Sequence, residues 1–321
     1  EYFKVLHKLR KISKDFKAYN PILKQYHDKV MENTGKQCQG IVMSLLVFVP
    51  VNLFFTYFFN YQNPTKTRWN PRLNKTSTYR DYPYPFWFPF DTSLSDGYYW
   101  LGFFYQPYAF LYLVSGFFCI DWLCTCTIIH LTSLIKVLRR SFQLVDEPLT
   151  LPQEIVLTIK EQRLKYCIKE LREIYECASL LNNIFSSQLL IQEVCMAGVV
   201  CCCVYRVTEK TSTVEASTLS TIVSAAFMEL FTVSWFNHNF TLEVFNILRD
   251  IETLDWLNYN LKLRKMLVFV MMRVQKPFYF TMGLGIPLDM KVFMTMVKTS
   301  YSLYTLITQS AESDNVSNRL E

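Results

Sequence analysis

The sequence predicts an all-α integral membrane protein, because its charged residues are gathered into blocks that leave several bilayer-length stretches almost bare. The chain has 321 residues, of which 51% are hydrophobic, 16% aromatic and 19% charged. Its mean hydropathy is only +0.12, so bulk composition does not decide the class. The distribution of charge does. No charged side chain stands between Lys36 and Lys66, and only Asp121 stands between Asp96 and Lys136. Glu193 is alone between Glu176 and Arg206, and Glu229 is alone between Glu215 and Glu243. Between Lys276 and Glu312 there are Asp289, Lys291 and Lys298. A hydrocarbon core about 30 Å thick needs about 20 apolar residues of helix, and each window is long enough.

Five spans follow, at 40–61, 99–135, 178–205, 216–242 and 286–309. Lysine and arginine mark the cytoplasmic side. Residues 1–40 hold nine of them, 136–177 eight and 243–276 six, whereas 62–98 and 206–215 hold five and two. The beginning of the chain is therefore expected in the cytoplasm and the C-terminus outside. The net charge of +6 is explained by this topology, so no nucleic-acid partner is implied. The chain begins at Glu1 with no visible signal peptide, and its native start is expected to lie upstream.

The connections carry their own signals. Residues 1–39 read as a cytoplasmic link into the first span. The external loop 62–98 contains a glycosylation triplet at Asn74 and a Pro/aromatic run from Tyr82 to Phe90 that cannot be helical. Residues 136–177 include an amphipathic helix from 153, with Ile155, Ile159, Leu164, Ile168, Leu171 and Tyr175 near one face. Glu161/Lys165, Lys169/Glu173 and Arg172/Glu176, each four apart, support it from the other side. This helix is either a solvated extension of a span or a cytoplasmic anchor where subunits meet. Spans 178–242 precede a second polar helical segment, 243–285, which ends in the breakers Pro277, Gly283, Gly285 and Pro287. A hinge and a last half-helix over 286–309 follow, with a tail over 310–321.

That half-helix carries Lys291 and Lys298, seven apart on one face, with Ser302, Thr305 and Thr308 beyond. An ionisable group in a span faces the bundle interior or water. Lys298 therefore either pairs with Asp121, Glu193 or Glu229, or faces a conduction path. Those three carboxyl groups read chiefly as packing groups. No phosphate-binding loop, nucleophile elbow or zinc-protease motif occurs. The ten cysteines lack zinc spacing with a histidine, and His7, His27, His130 and His238 form no sequence cluster. Enzymatic activity, a bound metal and a cofactor have no support.

Four passages resemble the insect odorant receptor family. Tyr82 to Asp91 is similar to its second external loop, and Asp255-Trp256 to its acidic-Trp pair. Met272-Arg273-Val274-Gln275-Lys276-Pro277 resembles Met-x-Arg-x-Gln-x-Pro, and Phe293 with Lys298-Thr299-Ser300-Tyr301-Ser302 resembles the C-terminal signature. The family has seven spans, so the resemblance implies that two precede the five visible here. The terminal motif of gustatory receptors is matched less well, although such a channel is the nearest alternative. The triplets of G-protein-coupled receptors and the internal repeat of transporters are missing, and the loop 136–177 is short for a co-receptor.

The resemblance implies an odour-tuned subunit of a heterotetrameric, nonselective cation channel in the plasma membrane of olfactory sensory neurons. Its implied partners are an odorant co-receptor, a small volatile odorant, the lipid bilayer and Na, K and Ca ions. It further implies a ligand pocket in the outer half of the bundle. The candidates there are Asn52, Leu53, Phe54 and Tyr57, then Phe103, Gln106, Phe110 and Leu113, then Ile222 and Phe227. The last half-helix would line the pore, with Tyr304 first among the gate candidates and Val297, Lys298, Tyr301 and Thr308 near it.

Overall fold

The computed structural model describes residues 1–61, 66–70, 75–79, 82, 88, 90, 96–148, 152–208, 213–276, 278–283 and 285–317. Seven helices account for most of them: α1 Tyr2–Tyr19, α2 Pro21–Tyr61, α3 Asp96–Gln143, α4 Gln153–Thr208, α5 Thr213–Glu252, α6 Leu261–Val274 and α7 Met290–Ser317. Two single-turn 3-10 helices, Leu144–Asp146 and Trp256–Asn258, and two short antiparallel hairpins complete the order. In one, β1 Lys66–Asn70 pairs with β2 Lys75–Tyr79, Arg68 opposite Ser77. In the other, β3 Thr281–Met282 pairs with β4 Ile286–Pro287. Asn74 and most of the Pro/aromatic run lie outside the described residues; Tyr82, Phe88 and Phe90 are described and are not helical.

Among the described residues, four stretches are long and apolar enough to cross a membrane: Pro21–Phe58, Phe118–Asp146, Gln153–Cys203 and Leu219–Glu252. Each overlaps one of the first four predicted spans. The fifth falls in α7, 28 residues long, whose lysines and hydroxyls dilute its hydropathy. At 1.5 Å per residue, α4 with its 56 residues is about 84 Å long, far more than a bilayer core. The edge of a membrane is not a reason for a helix to stop, so the amphipathic stretch from 153 and the span after 178 form one continuous helix.

The chain divides into two compact units. The first comprises Glu1–Gln39, Cys124–Gly198 and Phe227–Leu303. Its core is a continuous apolar cluster in which Leu131, Leu134, Ile135 and Leu138 of α3 join Leu164, Ile174 and Leu181 of α4 and Phe240, Val244 and Ile247 of α5. Helix α1 belongs to it: Val5, Leu9, Ile12 and Phe16, at spacings of four, three and four, are all buried. Ion pairs tie the same unit together. The Arg139 guanidinium donates to Asp250 at 2.5 Å and to Glu243 at 2.6 Å. Asp146, in the turn after α3, accepts from Lys160 Nζ at 2.6 Å, from Asp255 N–H at 2.7 Å and from the Tyr259 hydroxyl. Burial, and then the bond to Asp146, push the Tyr259 hydroxyl well above its ordinary pKa. Lys8 of α1 reaches Glu176 of α4 at 3.0 Å.

The second unit comprises Gly40–Leu123, Val199–Ala226 and Tyr304–Glu321. Its character is the reverse. Phe54, Phe55 and Phe58 of α2 and Trp100, Phe104, Tyr108 and Tyr112 of α3 are exposed. A water-soluble surface rarely keeps so much contiguous apolar area bare, and a lipid solvent accounts for it.

Candidate functional site

The pocket candidates on α2 and α3 sort by burial. Leu53 is buried, Tyr57 half-buried, and Gln106 wholly inaccessible. The Tyr57 hydroxyl donates to Gln106 Oε1 at 3.3 Å, and the Tyr57 ring meets Phe103 edge-on at 5.1 Å. A buried amide inside an aromatic wall is the composition of a site for a small, mostly apolar molecule, with one polar group to fix its orientation. Phe54 does not join this group: it is 65% exposed and packs on its own helix against Phe55 and Phe58. Phe110, Ile222 and Phe227 are half-buried. The side chains of Asn52 and Leu113 lie outside those described.

Sequence reading missed two members of this region. Thr56 is buried beside Leu53, a position that a hydroxyl on an apolar face signals. Tyr82 donates to the Tyr99 carbonyl at 3.2 Å and stacks on the Tyr99 ring at 5.1 Å. A Cβ added at Gly102 would stand 2.8 Å from the Tyr82 hydroxyl. The glycine is what admits the loop tyrosine to α3.

The root of α7 is held by polar contacts from two helices, α4 and α5. Between α6 and α7, Gly283 and Gly285 take φ of 48° and 90°. A Cβ at Gly283 would lie 2.2 Å from Leu190 Cδ2, so only glycine fits there. The Gly283 N–H donates to the Ser186 carbonyl at 2.9 Å. Asn182 accepts from Thr281 N–H at 2.7 Å and donates to the Thr281 hydroxyl at 3.1 Å. His238 of α5 donates from Nδ1 to Asp289 Oδ1 at 2.7 Å. Glu229, weighed above as a partner for Lys298, accepts from Gln192 Nε2 at 2.5 Å.

Along α7, Lys291, Thr295, Lys298 and Ser302 follow spacings of four, three and four, and all are exposed. The hydroxyls donate to carbonyls four residues back: Thr295 to Lys291 at 2.9 Å and Ser302 to Lys298 at 3.0 Å. Among the described residues Lys298 forms no ion pair. Of the gate candidates, Val297 is half-buried and Tyr301 is 68% exposed. Tyr304 and Thr308 are helical, with side chains outside those described. By helical register Val297, Tyr301, Tyr304 and Thr308 share one face, and Lys298 lies about a quarter-turn away on the polar stripe.

Long apolar helices, an aromatic cluster around a buried amide and a terminal helix with an exposed polar stripe define a helical membrane protein. The chain belongs to the 7tm odorant receptor family, whose model matches residues 7–301. It is 24% identical over 236 residues to putative odorant receptor 92a of Drosophila melanogaster, covering 71% of this chain and 54% of that one. It is 23% identical over 150 residues to odorant receptor 2a of the same fly and 20% identical over 144 residues to odorant receptor Or2 of Anopheles gambiae. Each of these two matches spans 38% of the relative's length. The fold is that of the insect olfactory receptor OR5 from Machilis hrabei, with a TM-score of 0.69 at 16% identity over 89% of this chain and 70% of that one. The eugenol complex of the same receptor superposes with a TM-score of 0.67.

Proposed function

We propose that the chain is one subunit of an odour-gated, nonselective cation channel, working as a heteromer with a co-receptor in the plasma membrane of olfactory neurons. A small volatile odorant sits among Leu53, Tyr57, Phe103, Gln106 and their neighbours in the outer half of the bundle. Na, K and Ca ions pass along a conduit to which each subunit contributes α7. The cytoplasmic helices around 136–177 and 243–285 form the anchor where subunits join.

The polar stripe on α7 carries this reading. Two lysines and two hydroxyls stay exposed on one face of the helix. Lipid cannot solvate an ammonium group, so water must, and several such helices around an axis would enclose a wet path. The adjoining face with Val297, Tyr301, Tyr304 and Thr308 supplies the constriction, which blocks ions by staying dry and conducts when widened. The odorant acts by binding the open state better than the closed one.

The test is co-expression with an odorant co-receptor in oocytes and recording over an odour panel. An odour-evoked cation current that requires both chains supports the proposal. A chain that reaches the surface and yields no current with any odour contradicts it.

A further inference from the structure

Helix α5 meets the start of α7 at His238 and at Phe231, and both contacts lie on the side of α7 away from the polar stripe. The first is the hydrogen bond from His238 Nδ1 to Asp289 Oδ1 at 2.7 Å. The second is Phe231 against Phe293, edge-on at 5.5 Å, with Phe231 also stacked on Trp235 at 5.8 Å. Phe231, Trp235 and His238 are spaced four and three apart and form one face of α5, while Asp289 and Phe293 are four apart and form one face of α7. The order is antiparallel, 231 to 293 and 238 to 289. By helical register the Asp289/Phe293 face is about opposite the Lys291/Thr295/Lys298/Ser302 face.

Asp289 serves both structures at once. Its carbonyl accepts the first intrahelical bonds of α7, from Val292 N–H at 2.9 Å and Phe293 N–H at 3.3 Å. Its carboxylate accepts from Met290 N–H at 2.7 Å while holding His238. A negative charge at a helix N-terminus is favourable in itself, so the same carboxylate that starts α7 anchors it. Phe227, a pocket candidate, lies eleven residues before His238 on the same unbroken helix, about 16 Å along its axis.

We propose that the His238–Asp289 pair, with Phe231 and Phe293 beside it, is the clamp through which α5 passes ligand-driven movement to the root of the pore helix. These are positioning residues, acting on ions only through α7. Two contact points on one rigid helix resist both sliding and rotation of α7. A movement of α5 at Phe227 is therefore delivered to α7 instead of being lost at the Gly283/Gly285 hairpin. This coupling role rests on the reading of α7 as pore-lining. The clamp itself does not.

The test uses His238→Ala, His238→Gln, Asp289→Asn and the double variant of His238→Ala with Asp289→Asn. Asparagine caps a helix as well as aspartate does, so Asp289→Asn replaces the carboxylate that His238 meets with a neutral, weaker acceptor and spares the start of α7. With the co-receptor, His238→Ala and Asp289→Asn should each raise the half-maximal odorant concentration about tenfold at equal surface abundance, the size that a charge-assisted hydrogen bond carries. The double variant should be no worse than either single one, and His238→Gln, which keeps a donor, should recover most of the loss. Unchanged potency, or additive effects in the double variant, overturns the coupling role. Hydrogen exchange on the purified full chain tests the clamp without any current. Both single variants should speed exchange over 289–296 and leave 240–250 of α5 unchanged, and equal exchange at 289–296 overturns the clamp. A wild-type chain that carries no current but shows the exchange effect would sink the channel reading and sustain the clamp.

Discussion

Tyr57 donates its hydroxyl to the side-chain carbonyl of Gln106, a residue with no solvent exposure at all. The bond links α2 and α3 within the wall of the candidate pocket, and it gives a largely aromatic surface a polar feature. Tyr57→Phe keeps the ring against Phe103 and removes the donor. A hydrogen bond of this kind is worth about 1 kcal/mol net. The half-maximal odorant concentration should therefore move several-fold, with surface abundance unchanged. Phe54→Ala, which takes away an outward-facing ring, should leave the dose response where it was. Concentration–response recordings on the two variants check both outcomes.

The guanidinium of Arg139 holds two carboxylates, Asp250 at 2.5 Å and Glu243 at 2.6 Å. Asp250 is buried, so losing the arginine strands a charge that water cannot reach. Removing one partner of such a pair costs about 3 kcal/mol or more. Arg139→Ala should lower the thermal unfolding temperature of the detergent-solubilised protein by several degrees. Arg139→Lys should recover only part, because an ammonium cannot present two forks at once. Double substitution of Arg139 and Asp250 to alanine should be less damaging than the sum of the single changes.

At the Gly283 hairpin the expected effect is steric. Alanine there must take a φ of 48° and place its Cβ 2.2 Å from Leu190. Gly283→Ala should lower surface abundance markedly. Combining it with Leu190→Ala should restore only the part due to the clash, because the backbone conformation stays unfavourable. Surface biotinylation of the two variants reads the difference.

Tyr259→Phe would remove one of the three donors that converge on Asp146. Lys160 and the Asp255 amide remain, so the loss should be about 1 kcal/mol. Lys160→Met should cost more, because it takes away the charge that balances the carboxylate at 2.6 Å. Unfolding temperatures of the two variants should fall in that order.

Much of the helical layout was legible because charge is excluded from lipid, and so Lys36 to Lys66 or Glu215 to Glu243 stand out as bare windows. The break in helix before α7 was legible for a similar reason, since Gly283, Gly285 and Pro287 break a helix whatever surrounds them. The depth of α1 was overlooked, because residues 1–39 read as a link and their nine basic residues dominate the pattern. The buried set Val5, Leu9, Ile12 and Phe16 was nevertheless written there at helical spacing. Contacts across long separations had no local signal. His238 and Asp289 are 51 residues apart, and nothing in the neighbourhood of either selects the other. The pocket shows the same limit: Tyr57, Phe103 and Phe54 are alike as sequence, and only packing turns two of them inward and one out.

The central claim is that α7 touches the water through which ions move, and substituted-cysteine accessibility tests it most directly. Cysteines are placed singly at 297, 298, 301, 304 and 308 and exposed to a charged, water-soluble thiol reagent during recording, with the parent chain and its ten native cysteines as control. The account predicts that reagent alters the current at several of these positions, and faster at 304 and 308 when odour is present. Cysteines that never react at any of the five, with or without odour, would contradict it.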